Sequence, residues 1–319
     1  MILCAGSIGC LASALVWVCL STRGMDSART TFIATLVVIA TGTLWGFYWM
    51  PVRKIAELGL TGAWGTLAIV AAAAMLLAPL GWRGRRALMA SHPIALASVA
   101  LGGLAFLLYS VGFLYGRVAI IVILFFLTPV WSTLIGRYLM GWPISRLRVL
   151  ALVVGVAGLA IMLGGDGALP IPRGLGDWFG LTSGLLWAVA TVGIRVKATA
   201  GPGETAFVFA AGAVLGGLII APLLEPAPNV GSFADPVQLA FWVCLTGALW
   251  WAMSMGGLMW AATKLDPARV GILLMAEVLI ASVTAALIAG ETLSTSEVIG
   301  GLLVVVAGVF EIWPERERS

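Results

Sequence analysis

A single acid, Glu277, stands in the apolar run from Val270 to Ala289. An ionised carboxylate near the middle of a bilayer costs about 2.5–3.5 kcal/mol even on insertion scales, so it must face protein or water. Two roles suit such a group: an acid that binds substrate or carries a proton during transport, or a hydrogen-bonded link between helices. No basic residue stands at a spacing that would pair with it. Arg53 and Arg195 each follow a tryptophan, Trp45 and Trp187, by eight residues. They could receive an anionic or zwitterionic solute at opposite mouths of a pathway, or anchor helix ends by snorkelling. Trp45, Tyr48 and Trp49 have i, i+3, i+4 spacing and so share one helix face, and Trp187 repeats Trp45. A cavity lined by such rings suits amphipathic or zwitterionic organic solutes better than hard ions, which need clustered oxygen ligands. Glu291, at a helix end, fits a cap or gate residue. Pro129 inside a helix deletes a backbone hydrogen bond and should kink it, which gives a hinge or a purely structural bend.

The elements that carry these residues must lie in a membrane. Of 319 residues, 61% are hydrophobic and 10% charged, against roughly 45–50% and about 25% in soluble domains. The net charge of +4 does not point to nucleic acid, because the basic residues fall in short loops between apolar runs. The four cysteines lack disulfide or zinc spacing and suit packing. The only histidine, His92, lies in a loop beside Arg83–Arg86. There is no metalloprotease His-Glu-x-x-His pattern and no phosphate-cradling glycine loop ending in lysine. Neither a metal nor a cofactor is therefore expected, and an enzyme is disfavoured. The partners expected are the lipid bilayer, a small-molecule substrate and, as a candidate coupling ion, the proton.

A membrane-crossing helix takes about 20 mostly apolar residues. Charges, glycines and prolines cut the chain into ten such pieces: Phe32–Met50, Leu60–Leu80, Ile94–Phe113, Val118–Met140, Leu147–Leu163, Trp178–Val196, Thr205–Leu224, Leu239–Ala262, Val270–Ala289 and Val298–Trp313. Alternating the loops between two sides leaves only Arg53, Lys54, Arg117 and Arg173 opposite the N-terminal side, which holds the other fourteen basic residues. That asymmetry puts both termini in the cytoplasm. Residues 1–31 are expected to be an N-terminal extension. Met1–Leu20 is apolar enough for an eleventh span, yet it lacks a basic n-region and has no counterpart later in the chain, and Met25 is an alternative start.

The spans fall into two related sets. Gly42-Thr43-Leu44-Trp45-Gly46 returns as Gly184-Leu185-Leu186-Trp187-Ala188, and Ala78-Pro79-Leu80 as Ala221-Pro222-Leu223. The halves are 32–164 and 177–313, joined by the linker 165–176 and followed by a cytoplasmic tail, 314–319. Five helices per half is an odd number, so the second half enters the membrane inverted. Loop charges agree: Arg83, Arg85 and Arg86 become Glu225 and Asp235, and Arg137, Arg146 and Arg148 become Glu291 and Glu297. Gly42 and Gly46, Gly112 and Gly116, and Gly212 and Gly216 each make a Gly-x-x-x-Gly step that permits close helix approach.

Leu127-Thr128-Pro129 followed by Gly141, and Ala276-Glu277-Val278 followed by Gly290-Glu291-Thr292-Leu293, resemble the paired EamA domains of the drug/metabolite transporter superfamily, as does the Gly-Xaa-Leu-Trp opening of each half. The likeness covers Phe32–Trp313. It implies an all-α membrane fold of ten helices in two inverted five-helix repeats, and a bacterial-type inner-membrane permease that exports a small organic metabolite such as an amino acid. Trp142 stands where many EamA domains have glutamate after the glycine, which breaks any symmetric carboxylate pair. The competing readings are a non-transporting membrane subunit, a channel and a membrane-embedded enzyme. A solute accumulated against its gradient under an imposed proton gradient separates a carrier from these.

Overall fold

Segments that are apolar on all sides can satisfy their backbone in lipid only as helices. A computed structural model describes residues 27–141, 146–164, 171–194, 200–229, 231, 233, 235–265, 270 and 273–312, and these contain helices and no strand. Arg195, Trp142, Trp313, residues 1–26 of the expected extension, residues 165–170 of the linker and the tail lie outside the described residues.

The helices are α1 (Ser27–Gly46), α2 (Trp49–Glu57), α3 (Gly62–Arg83), α4 (Arg85–Ala90), α5 (Pro93–Tyr115), α6 (Val118–Phe125), α7 (Thr128–Tyr138), α8 (Arg146–Gly164), α9 (Leu175–Ile194), α10 (Pro202–Leu224) and α11 (Pro236–Thr246). A π-helical segment, Gly247–Ser254, follows α11 and leads into α12 (Met255–Ala262), then α13 (Ala276–Leu287) and α14 (Thr295–Ile312). Among the described residues, six stretches are long and apolar enough to cross a membrane: Ala28–Glu57, Gly62–Arg83, Pro93–Tyr115, Val118–Tyr138, Pro202–Leu224 and Pro236–Ala262. Val149–Gly164, Ala276–Leu287 and Thr295–Phe310 are shorter apolar helices.

Local chemistry sets the ends. Pro93, Pro202 and Pro236 open their helices, where the missing N–H removes no helical bond. The Asp235 carboxylate caps α11 by accepting from the amides of Val237 and Gln238 at 3.0 and 2.9 Å. Gly141 and Gly290, beyond α7 and α13, have φ of +68° and +67°, which favours glycine.

Helix α9 packs along α5, α6 and α7; α1 packs along α12, the π segment and α13; α10 packs along α3 and α5; α14 packs along α8. Several of these contacts are backbone against backbone. A Cβ on Gly103 would stand 1.9 Å from the Phe209 carbonyl oxygen, one on Gly212 2.2 Å from that of Ala100, and one on Gly300 2.5 Å from that of Gly158. With no hydrophobic drive between helices in lipid, such close approach is what holds them.

Candidate functional site

Four helix interruptions surround one region. Phe47 and Tyr48 form a turn between α1 and α2. Pro51 has no N–H for the Phe47 carbonyl, which accepts instead from the Met50 amide at 3.1 Å. Phe126 and Leu127 separate α6 from α7. Here Pro129 frees the Phe125 carbonyl, and the Thr128 hydroxyl donates to it at 2.7 Å. The expected kink at Pro129 is thus a break with Pro129 in the first turn of the second half. The π segment is the third interruption, and the turn at Met275 that starts α13 is the fourth. Irregular backbone at membrane depth survives only where protein or water re-satisfies it.

Side chains from these breaks form a buried polar network in an aromatic setting. The Trp251 indole N–H donates to the Tyr48 hydroxyl at 2.8 Å; that hydroxyl pairs with Ser110 at 2.9 Å, and Ser110 with Thr66 at 2.9 Å. The Trp45 indole donates to Ser254 at 2.7 Å, and that of Trp250 to the Leu44 carbonyl at 2.7 Å. The wider π turn lets the successive Trp250 and Trp251 both reach α1 and its break. Phe106 takes the ring of Trp45 at 5.0 Å and that of Trp187 at 5.1 Å, both edge-on, so the repeated tryptophans meet on one phenylalanine. Trp49 leaves this group. The chain turns between Trp45 and Trp49, so the unbroken-helix spacing does not carry across. Its indole donates to Thr284 at 3.1 Å, and the Arg53 guanidinium lies 5.2 Å from its ring.

Tyr48→Phe leaves the Trp251 N–H without its acceptor. In membrane proteins such bonds are worth about 0.6 kcal/mol, and about 1.7 at most. Thermal melting in detergent should therefore show a loss of about 1 kcal/mol, whereas Tyr138→Phe, at a site 78% exposed, should melt as the parent does.

Glu277 lies in the first turn of α13 and is 5% exposed. The Tyr109 hydroxyl donates to its Oε1 at 2.7 Å, and among the described residues no basic side chain forms an ion pair with it. Tyr109 in turn lies against Phe125 and Phe113, each with ring centroids 4.7 Å away. The N-terminal end of a helix favours negative charge, so α13 aims its positive end at this carboxylate. In the other half the aligned residue is Thr128, whose hydroxyl is also 3.2 Å from the Gly184 carbonyl.

Arg53 and Glu291 are joined to each other at one end of the bundle, away from this network. Arg53 Nη2 donates to Glu291 Oε1 at 3.2 Å, and the guanidinium also bonds the carbonyls of Phe113 and Gly116 at the C-terminal end of α5. Glu291 accepts from the amides of Val118 and Ala119, at 2.9 and 3.2 Å, and so caps α6. The same end holds the Arg117–Glu297 pair and Glu225, which accepts from Tyr115 at 2.5 Å and Thr61 at 2.8 Å. A depression of about 330 Å³ beside Arg53 is lined by Ala56, Glu57, Phe113, Leu114 and Gly116.

Tyr109, Ser110, Ser254 and Thr284 belong to the network without any sequence motif around them. A hydroxyl inside an apolar span was the available signal, since each must find a partner there.

The model of the EamA-like transporter family matches residues 32–164 and again 174–312. A solved crystal structure of a protein superimposes with a TM-score of 0.54 at 16% identity, over 87% of this chain and 95% of its own, a likeness of fold. No curated protein matches this chain.

Proposed function

The chain belongs to the EamA-like transporter family, and from that premise we propose that it is a secondary transporter of small organic metabolites, amphipathic compounds or amino acids among them. In this reading ten helices form two inverted repeats, 32–164 and 177–313, which rock about a central site and open it to one face and then the other. The helix contacts support the duplication, because they occur in exchanged pairs, and an odd number of spans in each half makes the second copy inverted. Contacts of the third span with the sixth and seventh (α5 with α9 and α10) mirror those of the eighth with the first and second (α12 with α1, the π segment with α3). Contacts of the fourth span with the sixth mirror those of the ninth with the first.

The observation that carries the proposal is Glu277, a buried acid held by Tyr109 where four interrupted helices meet. Discontinuous helices around a mid-membrane polar group are the usual architecture of a solute site in such carriers. The basic-residue asymmetry favours both termini in the cytoplasm and the Arg117 end outside, while a bacterial-type inner membrane and export as the direction of flow rest on the family likeness alone.

In this orientation the Arg53–Glu291 pair closes the outer end. Glu291 has only 9% of its side chain exposed and Arg53 31%, so solvent screens the pair less than a surface bridge. Each charge also has backbone partners, which offsets desolvation. Glu291→Gln should remove the charge that holds both amides. With charge-assisted bonds worth about 1.5–3 kcal/mol, hydrogen exchange at Val118 and Ala119 should accelerate about ten-fold. Unaltered exchange there would mean that Glu291 does not hold the start of α6.

The transport proposal is tested by reconstituting the protein in liposomes and screening amino acids and other metabolites under an imposed proton gradient. A carrier accumulates at least one solute above its equilibrium level. Equilibration without accumulation would indicate a channel, and no movement above protein-free vesicles would count against transport altogether.

A further inference from the structure

The transport proposal leaves the charge of the solute open, and the buried groups bear on it. At the depth of Glu277 the described helices bring one carboxyl and no base. Helix α13 packs along α1 and α6, and side chains of α2 and α5 also reach it, Trp49 at Thr284 and Tyr109 at Glu277. Arg29, at the far end of α1, is the one charged residue on the described parts of α1 and α6, α5 carries none, and those of α2 are Arg53, Lys54 and Glu57, beyond Trp49. The titratable group bonded to Glu277 is Tyr109, and Tyr48 is bonded to Ser110, the next residue in the chain. Tyr109 gives Glu277 a dipole and no countercharge. Arg53, the side chain that could have received an anion, is held by Glu291 and by the carbonyls of Phe113 and Gly116.

The surroundings of Glu277 suit one kind of guest. Rings of Tyr109, Phe125, Phe106 and Trp45 follow one another at centroid distances of 4.7, 5.4 and 5.0 Å along the chain Tyr109–Phe125–Phe106–Trp45. Aromatic faces attract organic cations, most strongly where water is excluded. A carboxylate among them supplies the countercharge that rings alone do not. An amino acid brings a carboxylate of its own to a place where Glu277 repels it and no described base receives it.

Resting on the transporter reading above, we infer that the solute is an amphipathic organic cation, an amine whose ammonium group seats on Glu277 and whose apolar part lies along these rings. Amines are therefore preferred to the amino acids from which they differ by one carboxylate. This is a statement of selectivity, which is a difference between affinities set as much by what the site repels as by what it attracts.

Four probes of one shape separate the charges: phenethylamine, phenylalanine, 3-phenylpropionate and 3-phenylpropanol. Their binding to the liposome-embedded protein is read from the fluorescence of the tryptophans around the site. Phenethylamine should bind at least about ten-fold more tightly than each of the others. Glu277→Gln should erase that preference, and Glu277→Asp should keep part of it. Equal or tighter binding of phenylalanine or of the alcohol overturns the inference, as does a folded Gln variant that still prefers the amine. If the Gln variant does not fold, the order of the four probes on the unmodified protein decides the matter. Accumulation of neutral or anionic solutes alone in the metabolite screen would overturn the cation assignment and leave the transporter reading standing. A protein that moves no solute at all overturns both.

Discussion

Glu277→Gln is expected to reduce solute accumulation in proteoliposomes to the level of protein-free vesicles while leaving the fold intact. The side chains have the same shape, and a glutamine carbonyl can accept the Tyr109 hydroxyl as Oε1 does at 2.7 Å. Removing an acid that has no ion-pair partner among the described residues also removes a desolvation cost, so melting should be unchanged or slightly higher. What disappears is the capacity to carry charge or a proton at this depth. The opposite half offers no replacement, because the aligned residue is Thr128, whose hydroxyl is spent on the carbonyls of Phe125 and Gly184. A Gln variant that kept pH-dependent accumulation would show that the proton travels elsewhere.

Glu277 was legible in the sequence because one carboxyl in an apolar run is conspicuous. Its partner was not, since Tyr109 lies 168 residues away in the chain. In a soluble helix the apolar stripe marks the inner face, but a helix that is apolar all round has no such stripe. The spacing of apolar residues in α5 therefore could not say that Tyr109 and Ser110 face inward; buried hydroxyls mark that face. The shared face of Trp45 and Tyr48 was readable, with rings 4.7 Å apart. Trp49 was misplaced by the same rule, because Pro51 and the turn at Phe47–Tyr48 change the register between them. From its position at a helix end Glu291 reads as a cap or a gate residue, and its carboxylate accepts from the amides of Val118 and Ala119. That it caps α6, rather than its own neighbour, depends on a turn from another part of the chain. The end cluster shows both cases: Ser294 and Glu297 make a local capping box, with the Ser294 amide donating to Glu297 at 2.8 Å, while Arg117 reaches Glu297 from the far side of the sequence.

Positions where helices touch backbone to backbone should be the least tolerant in the molecule, and Gly103→Ala is the sharpest case. The added methyl carbon would stand 1.9 Å from the Phe209 carbonyl oxygen and 2.9 Å from the Ala213 amide nitrogen. Both are backbone atoms of α10, so no side chain can swing aside, and the whole of α5 would have to move off α10. Overpacking of this kind costs about 1–3 kcal/mol and sometimes more. The displacement would also reach the site, because Phe209 lies 5.3 Å from Phe106 and 5.7 Å from Trp251. The variant should melt well below the parent and lose solute movement even where it folds. Gly257→Ala is the matched control, since its methyl would meet one side-chain carbon of Val37, at 3.1 Å. Alanine also favours the helix over glycine by about 0.8–1.0 kcal/mol, so this control should melt at or above the parent temperature. Equal tolerance of the two substitutions would mean that α5 and α10 are not in the close contact that brings Phe209 to the aromatic site.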